Sequence, residues 1–417
     1  MTLIAQAEDP PRRAERPIGM PEFVALVAAM MAMNALSIDP MLPALPAMAD
    51  SLAIAEPNQR QWIITAYTLG LGIGSLFYGS LSDRFGRRPV LLGSLGLFLA
   101  ATLACMLASS LPTMLAARAA AGFFAAGSRV IAVSVVRDRF VGDRMARVMS
   151  IVFMVFILVP VAAPAFGQGV LAVADWRWIF GALLLIGTAL SAWALARLPE
   201  TLSPENRIEI NPRAIAATWA GIVTHRLAIG YMTATGFILA GIFAFVTSSQ
   251  QIFFEVFGAA EVFPYAFGVV AGAMAVGSFV NSRLVVRMGA RRISHGALVA
   301  LILLSALRTG LDAAGMETLA SFILLQALTF LCFSLVMSNF GSISMEPFGR
   351  GAGAASSFQA ALTTVIGAGG GAAIGLQYDG TTLPLALGYL GCGVVALSLV
   401  FWAERGRLFD RGSGHVA

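Results

Sequence analysis

Asp39, Arg118 and Arg129 are ionisable side chains set inside long apolar stretches. The chemistry such groups suit is reversible binding of a proton or a solute, not covalent catalysis. An unpaired carboxylate within an apolar span costs a few kcal/mol or more, so Asp39 reads first as a protonatable site. The alternatives are a permanently paired Asp, or one exposed at the mouth of the molecule that caps the Pro40–Pro46 turn. Arg118 falls at a depth similar to Asp39 at about 1.5 Å per helical residue, and the two could influence each other. Arg129 returns to almost the same helix face about three turns deeper. It suits either a substrate contact or a structural hydrogen-bond network. Asn34, Gln250, Gln251, Asn339 and Gln359 are uncharged polar groups near or within spans. They could line a cavity or join helices, since both uses call for the same residue types.

A second cluster, Gly79-Ser-Leu-Ser-Asp83-Arg84-Phe-Gly86-Arg87-Arg88-Pro89, concentrates charge between two apolar runs. Gly79 allows close helix approach, Gly86 a sharp turn, and Pro89 the first turn of a helix. The arginines hold the loop on one side of a membrane. No metal-ligand spacing, nucleophile elbow or extramembrane catalytic segment is visible, so neither an enzyme nor a metal or organic cofactor is expected. Cys105, Cys332 and Cys392 lie in apolar runs as small packed residues.

The elements that must position these groups follow from composition. The chain is 58% hydrophobic and 12% charged, with a mean hydropathy of +0.82, which excludes an ordinary soluble domain. About twelve runs are long enough to cross a bilayer: residues 22–46, 60–81, 89–109, 112–137, 145–172 and 176–198, then 226–253, 262–286, 291–312, 317–345, 350–377 and 382–403. Residues 1–21 read as a polar tail without a signal peptide, 22–198 as one six-helix bundle, 199–224 as a polar linker, 225–403 as a second bundle, and 404–417 as a charged tail. The net charge of +5 comes from arginine alone, as there is no lysine. The arginines gather in alternate loops, so both termini are expected in the cytoplasm, and the basic balance reflects topology and not nucleic-acid binding. His225, His295 and His415 fall at or beyond cytoplasmic ends and are expected to be solvated. Leu81, Arg84, Gly86 and Arg88 recur at a constant offset as Leu284, Arg287, Gly289 and Arg291, which implies two repeats.

With these residues in place, the chain resembles the major facilitator superfamily, and within it the bicyclomycin and chloramphenicol resistance type of drug:proton antiporter. The 79–90 loop carries the most specific likeness. Ser37-Ile38-Asp39-Pro40 through Pro46, Val136-Arg137-Asp138, Pro199-Glu200-Thr201-Leu202 and the stretch around Arg118 and Gly122 are similar to further signatures. The resemblance implies an all-α inner-membrane protein of two pseudosymmetric six-helix bundles, working as a monomer by alternating access. It implies proton-driven multidrug export with protons as the coupling ion; from their positions in the spans, Asp39 is expected to carry the proton and Arg118 to tune it. A rival expectation is a proton-coupled carrier for one polar or anionic metabolite. The resemblance further implies a gating latch in which Asp83 meets the N-terminus of the eleventh span and Arg84 pairs with Asp138. In the fifth span Pro160, Pro164 and Gly167 place breaks and small residues that suit either bending or simple close helix packing.

Overall fold

Pro40 and Pro43 have no N–H to give the Leu36 and Asp39 carbonyls, and the first apolar run is interrupted where they occur. The computed structural model describes residues 18–140, 142–348 and 352–409. It has α1 over Met20–Leu36, a 3-10 turn over Asp39–Ala44, and α2 over Leu45–Ser51. The run expected as one helix over 22–46 is therefore a span in two pieces. Most of the two expected tails, with His415, lies outside the described residues.

The remaining helices are α3 Trp62–Phe85, α4 Arg87–Leu107, α5 Leu111–Arg139, α6 Gly142–Leu171, α7 Arg177–Arg197, α8 Pro212–Thr224, α9 Arg226–Gln251, α10 Phe263–Met288, α11 Ala290–Ala313, α12 Leu319–Met345, α13 Ala352–Gly375 and α14 Leu383–Ala403. Among the described residues eleven helical segments are long and apolar enough to cross a membrane. The 30-residue α6 has the length to be a twelfth. The protein is thus an all-helical, multi-pass membrane protein. One connection departs from expectation: part of the 199–224 linker is the helix α8. Its apolar side chains explain this, because Ile222 is fully buried and the Trp219 ring lies tilted 6.0 Å from that of Phe358 in α13.

Helix contacts fall into two groups. In the first, α5 is gripped by α3, α4 and α1, with α6 and α7 closing the group; in the second, α9 packs on α13, α14 and α12, while α10 and α11 pack on α12. The groups meet chiefly along α3 with α13 and α6 with α10. Close approach depends on missing side chains. A Cβ on Gly122 would overlap the Tyr67 carbonyl, and one on Gly70 the Ala119 carbonyl, the small-residue packing that lets membrane helices touch backbone to backbone. Gly86 and Gly289 hold the equivalent turns of the two repeats, with φ of +100° and +84°, a conformation that a β-carbon disfavours.

Candidate functional site

Asp39 opens the 3-10 turn in the broken first span and is 7% exposed. Its carboxylate has no hydrogen-bond or ion-pair partner among the described residues, and no charged side chain acts on it. The break is held from the side by α6: Gly167 lies against the Pro40 carbonyl so closely that any β-carbon would overlap it. Gly167 therefore serves contact with the Asp39 turn, and α6 runs as one helix through Pro160 and Pro164.

Arg118 does not join Asp39, contrary to the expectation from depth. Its Nε donates to the Ile63 carbonyl at 3.1 Å and its guanidinium lies 4.3 Å over the Tyr67 ring, because this face of α5 is turned to α3. Nη2 of Arg118 has no partner among the described residues. The Tyr67 hydroxyl donates at 3.4 Å to Oδ1 of Asn34, a residue whose Nδ2 has no partner among the described residues. Arg129 is exposed yet close enough to interact electrostatically with the buried Tyr67 hydroxyl. It makes no hydrogen bond or ion pair among the described residues, so of the two alternatives the structural network is not seen there.

The other polar residues separate by position. Gln251 is not in a cavity but in a seal at the end of the molecule bearing the Pro57–Gln61 turn, here called the distal end. Gln61 Nε2 donates to Gln251 Oε1 at 2.6 Å and to the Gly375 carbonyl at 2.9 Å; Gln251 Nε2 donates to Asn58 Oδ1 at 2.9 Å. Asn58 Nδ2 in turn donates to the Tyr378 carbonyl at 2.8 Å. Arg60, 6% exposed, forms an ion pair with Glu255, and Gln168 reaches the Ala260 carbonyl at 3.2 Å. Hydrogen bonds and ion pairs tying the two helix groups together, among the described residues, gather at this end. Asn339 is pinned inside the second group, donating to Asn281 Oδ1 at 2.6 Å and the Leu335 carbonyl at 2.7 Å. Gln250 is buried with Oε1 unpartnered among the described residues, and Gln359 is half-buried near Gly341.

The seal gives a first prediction. Glu255 is half exposed, so its pair with Arg60 contributes roughly 1 kcal/mol. Glu255→Gln should therefore raise distal opening about fivefold. The readout is the rate at which Thr65→Cys, buried one turn inside Gln61, reacts with an impermeant maleimide added on that side, with the native cysteines replaced. An unchanged rate, or failure of the swapped pair Arg60→Glu/Glu255→Arg to slow it again, would count against the seal.

At the opposite, proximal end, the charged loop is organised differently from the expected latch. Arg87, not Arg84, pairs with Asp138: its Nε donates to Oδ2 at 2.8 Å, while Nη1 donates to Asp83 Oδ1 at 2.5 Å and Ser82 Oγ at 2.8 Å. Arg87 opens α4 directly after the Gly86 turn and so folds back over the end of α5. Arg84 points outward to Glu209, 3.9 Å away, and over Phe85. Glu200 caps α4, accepting from the backbone N–H of Arg87 at 2.9 Å and of Arg88 at 3.2 Å, as suits a carboxylate at a helix N-terminus. Thr201 adds a hydrogen bond to Asp138 at 3.0 Å, which gives the Pro199–Leu202 motif a physical role. The residues before Ala352, where Asp83 was expected to meet the eleventh span, lie outside the described residues. Gly79 faces Ser357 of α13, where a Cβ would come within 2.7 Å of its Oγ.

Two buried clusters escaped the sequence reading. His295 is not solvated; it is fully buried, bonded to the Tyr231 hydroxyl at 2.8 Å, and its Nδ1 accepts the Phe409 N–H at 3.1 Å. The Tyr231 hydroxyl also reaches Glu404, which pairs with Arg291 at 2.7 Å. The chain after α14 folds back over His295, which span-end position alone does not reveal. Arg308, 1% exposed, pairs with Glu317 at 2.9 Å and donates to Gln326 Oε1 at 2.6 Å. Its signal was an arginine one turn before Asp312 near the end of the 291–312 run.

The Major Facilitator Superfamily model matches residues 24–374. The chain is 32% identical over 279 residues to a bicyclomycin resistance protein homolog of Haemophilus influenzae, covering 66% of this chain and 69% of that one. It is 30% identical over 346 residues to the MFS-type transporter YdgK of Bacillus subtilis, covering 82% and 85%. With the multidrug resistance protein MdtL of Escherichia coli it shares 28% over 239 residues, 57% of this chain and 60% of that one. In fold it is similar to the human organic anion transporter MFSD10, with a TM-score of 0.64 at 17% identity, covering 93% of this chain and 100% of that one. It is likewise similar to a bacterial homolog of the human lysosomal transporter Spinster, with a TM-score of 0.69 at 13% identity, covering 94% and 98%.

Proposed function

The chain belongs to the Major Facilitator Superfamily, and from that membership we propose that it exports small, largely apolar compounds, drugs among them, in exchange for protons. The family's members are transporters, not enzymes, which accords with a small-molecule substrate and a bilayer as surroundings. The drug-resistance names of the bicyclomycin and MdtL relatives support the substrate class. The observation that carries proton coupling is Asp39, a buried carboxylate without a partner among the described residues, at the break of the first span.

Arginine in the loops beside Phe85, Arg139 and Met288 makes the proximal end cytoplasmic by the positive-inside rule. Both termini then lie inside, the distal seal faces outward, and the described conformation is shut to the outside. In the cycle, the two bundles, about residues 22–198 and 225–403, rock against each other as a monomer. When the seal opens, a proton reaches Asp39 and drug leaves; when it shuts, the proton is released inward. Arg118 holds α3 and α5 together beside this path instead of tuning Asp39 directly. The loop of Asp83, Arg84, Arg87 and Arg88 is tied here to its own bundle and to the linker that follows it, as befits a latch released while the inner side is accessible, and it would engage α13 when the inner side closes.

The test uses inverted membrane vesicles whose lumen has been acidified and carries a pH-sensitive dye. Several unrelated apolar drugs should each alkalinise the lumen on addition. If no drug does so and one metabolite alone does, the export reading is wrong and the specific carrier takes its place.

A further inference from the structure

We infer that Arg129 is an anion-docking site and that preferred substrates of this transporter are amphiphilic monoanions, each an apolar body carrying one carboxylate or comparably acidic group. The inference rests on the export reading above and narrows its substrate class.

Arg129 stands about 15 Å from the proximal end of α5 at 1.5 Å per residue, which places it at membrane depth. An arginine there is costly and is ordinarily paired or turned to a water-filled space. Two other membrane-embedded arginines among the described residues obey that rule by pairing. Arg118 is spent on Ile63 and Tyr67, and Arg308 on Glu317 and Gln326. Arg129 has no such partner among the described residues, and it is exposed.

The exposure belongs to the interior of the molecule. Arg129 is close enough to interact electrostatically with Tyr67, a fully buried residue of α3. One and two helical repeats toward the cytoplasm, Val133 and Arg137 are also exposed, and Arg137 comes near Gly353 of α13 in the opposite bundle. Arg129, Val133 and Arg137 therefore form an accessible stripe on α5 that descends between the bundles to the cytoplasmic side, beneath a shut distal seal. Arg137 at its mouth draws an anion in and Val133 offers apolar contact. Arg129 ends the path with five N–H donors free for one carboxylate. A single unpaired guanidinium at the end of the stripe fits one negative charge, not two. The carboxylate of Asp39 takes the proton, and the cation of Arg129 takes the anion.

The experiment measures binding to the purified full chain in detergent at pH 7.5 by calorimetry, with phenylbutyrate and its uncharged amide as a matched pair. The wild type should bind the acid at least about tenfold more tightly than the amide, the advantage of a charge-assisted over a neutral hydrogen bond. Arg129→Gln should erase that preference while binding the amide as before, and Arg129→Lys should restore part of it. Equal binding of acid and amide by the wild type, or a preference that survives in Arg129→Gln, would overturn the assignment. Because binding is read without a gradient, the two readings fail separately. Arg129-dependent acid binding together with no proton-driven export in vesicles would remove the export reading and leave the anion site standing.

Discussion

Asp39→Asn is expected to abolish uphill export while leaving downhill movement of drug largely intact. The carboxamide has the shape of the protonated acid but cannot release a proton, so the variant is held permanently in the neutral state. Coupling, not passage, is what it loses. A proton descending one pH unit yields about 1.4 kcal/mol, enough to sustain roughly a tenfold concentration ratio of an exchanged neutral drug per proton. In proteoliposomes with a one-unit gradient, that ratio should fall to about one in Asp39→Asn. Exchange of labelled for unlabelled drug without a gradient should stay within a few-fold of the wild type. Asp39→Glu tests placement, since the 3-10 turn and the Pro40 contact with Gly167 leave little latitude for an extra methylene. Sustained accumulation by Asp39→Asn would remove this residue from the coupling step.

The sequence made the architecture legible because its signals are collective. Arginine excess, span lengths and the paired turns at Gly86 and Gly289 all constrain the same arrangement, and a local error in one does not upset the rest. The burial of Asp39 was legible for a related reason: a lone carboxylate among apolar residues has few inexpensive explanations. What failed was pairing. Arg84 and Arg87 are indistinguishable by composition, and only the Gly86 turn decides which one folds back on Asp138. Similar depth put Arg118 with Asp39, but the face of α5 that carries the arginine is turned to α3. Hydropathy alone read 22–46 as one helix, although Pro40, Pro43 and Pro46 already carried the signal for a break. Gln251 looked like a cavity residue, and its use beside Glu255 in the distal seal depends on Asn58, Arg60 and Gln61 from the other bundle.

Arg308→Met should destabilise the protein more than any substitution at the surface, by about 3 kcal/mol, the lower end of the range for breaking a buried ion pair. Arg308 ties three helices: Glu317 lies at the entrance to α12, Gln326 within it, and Tyr389 of α14 receives a hydrogen bond from Gln326 at 2.7 Å. The Phe322 ring covers the guanidinium at 4.3 Å, and Thr382 bonds the other oxygen of Glu317. Removing the cation leaves the Glu317 carboxylate, 4% exposed, without its counter-charge, and that stranded charge accounts for most of the loss. The double variant Arg308→Met/Glu317→Gln should therefore recover much of the stability, because no charge is then left buried. Reversible unfolding in sodium dodecyl sulfate, followed by tryptophan fluorescence, measures both. Additive losses in the double variant would show instead that packing of the long side chain against Phe322 and Tyr389 carries the energy. The network lies wholly within the second bundle, away from Asp39. Folded Arg308→Met should accordingly keep its accumulation ratio while its yield and stability fall, which separates a structural intramembrane arginine from the unpaired Arg129.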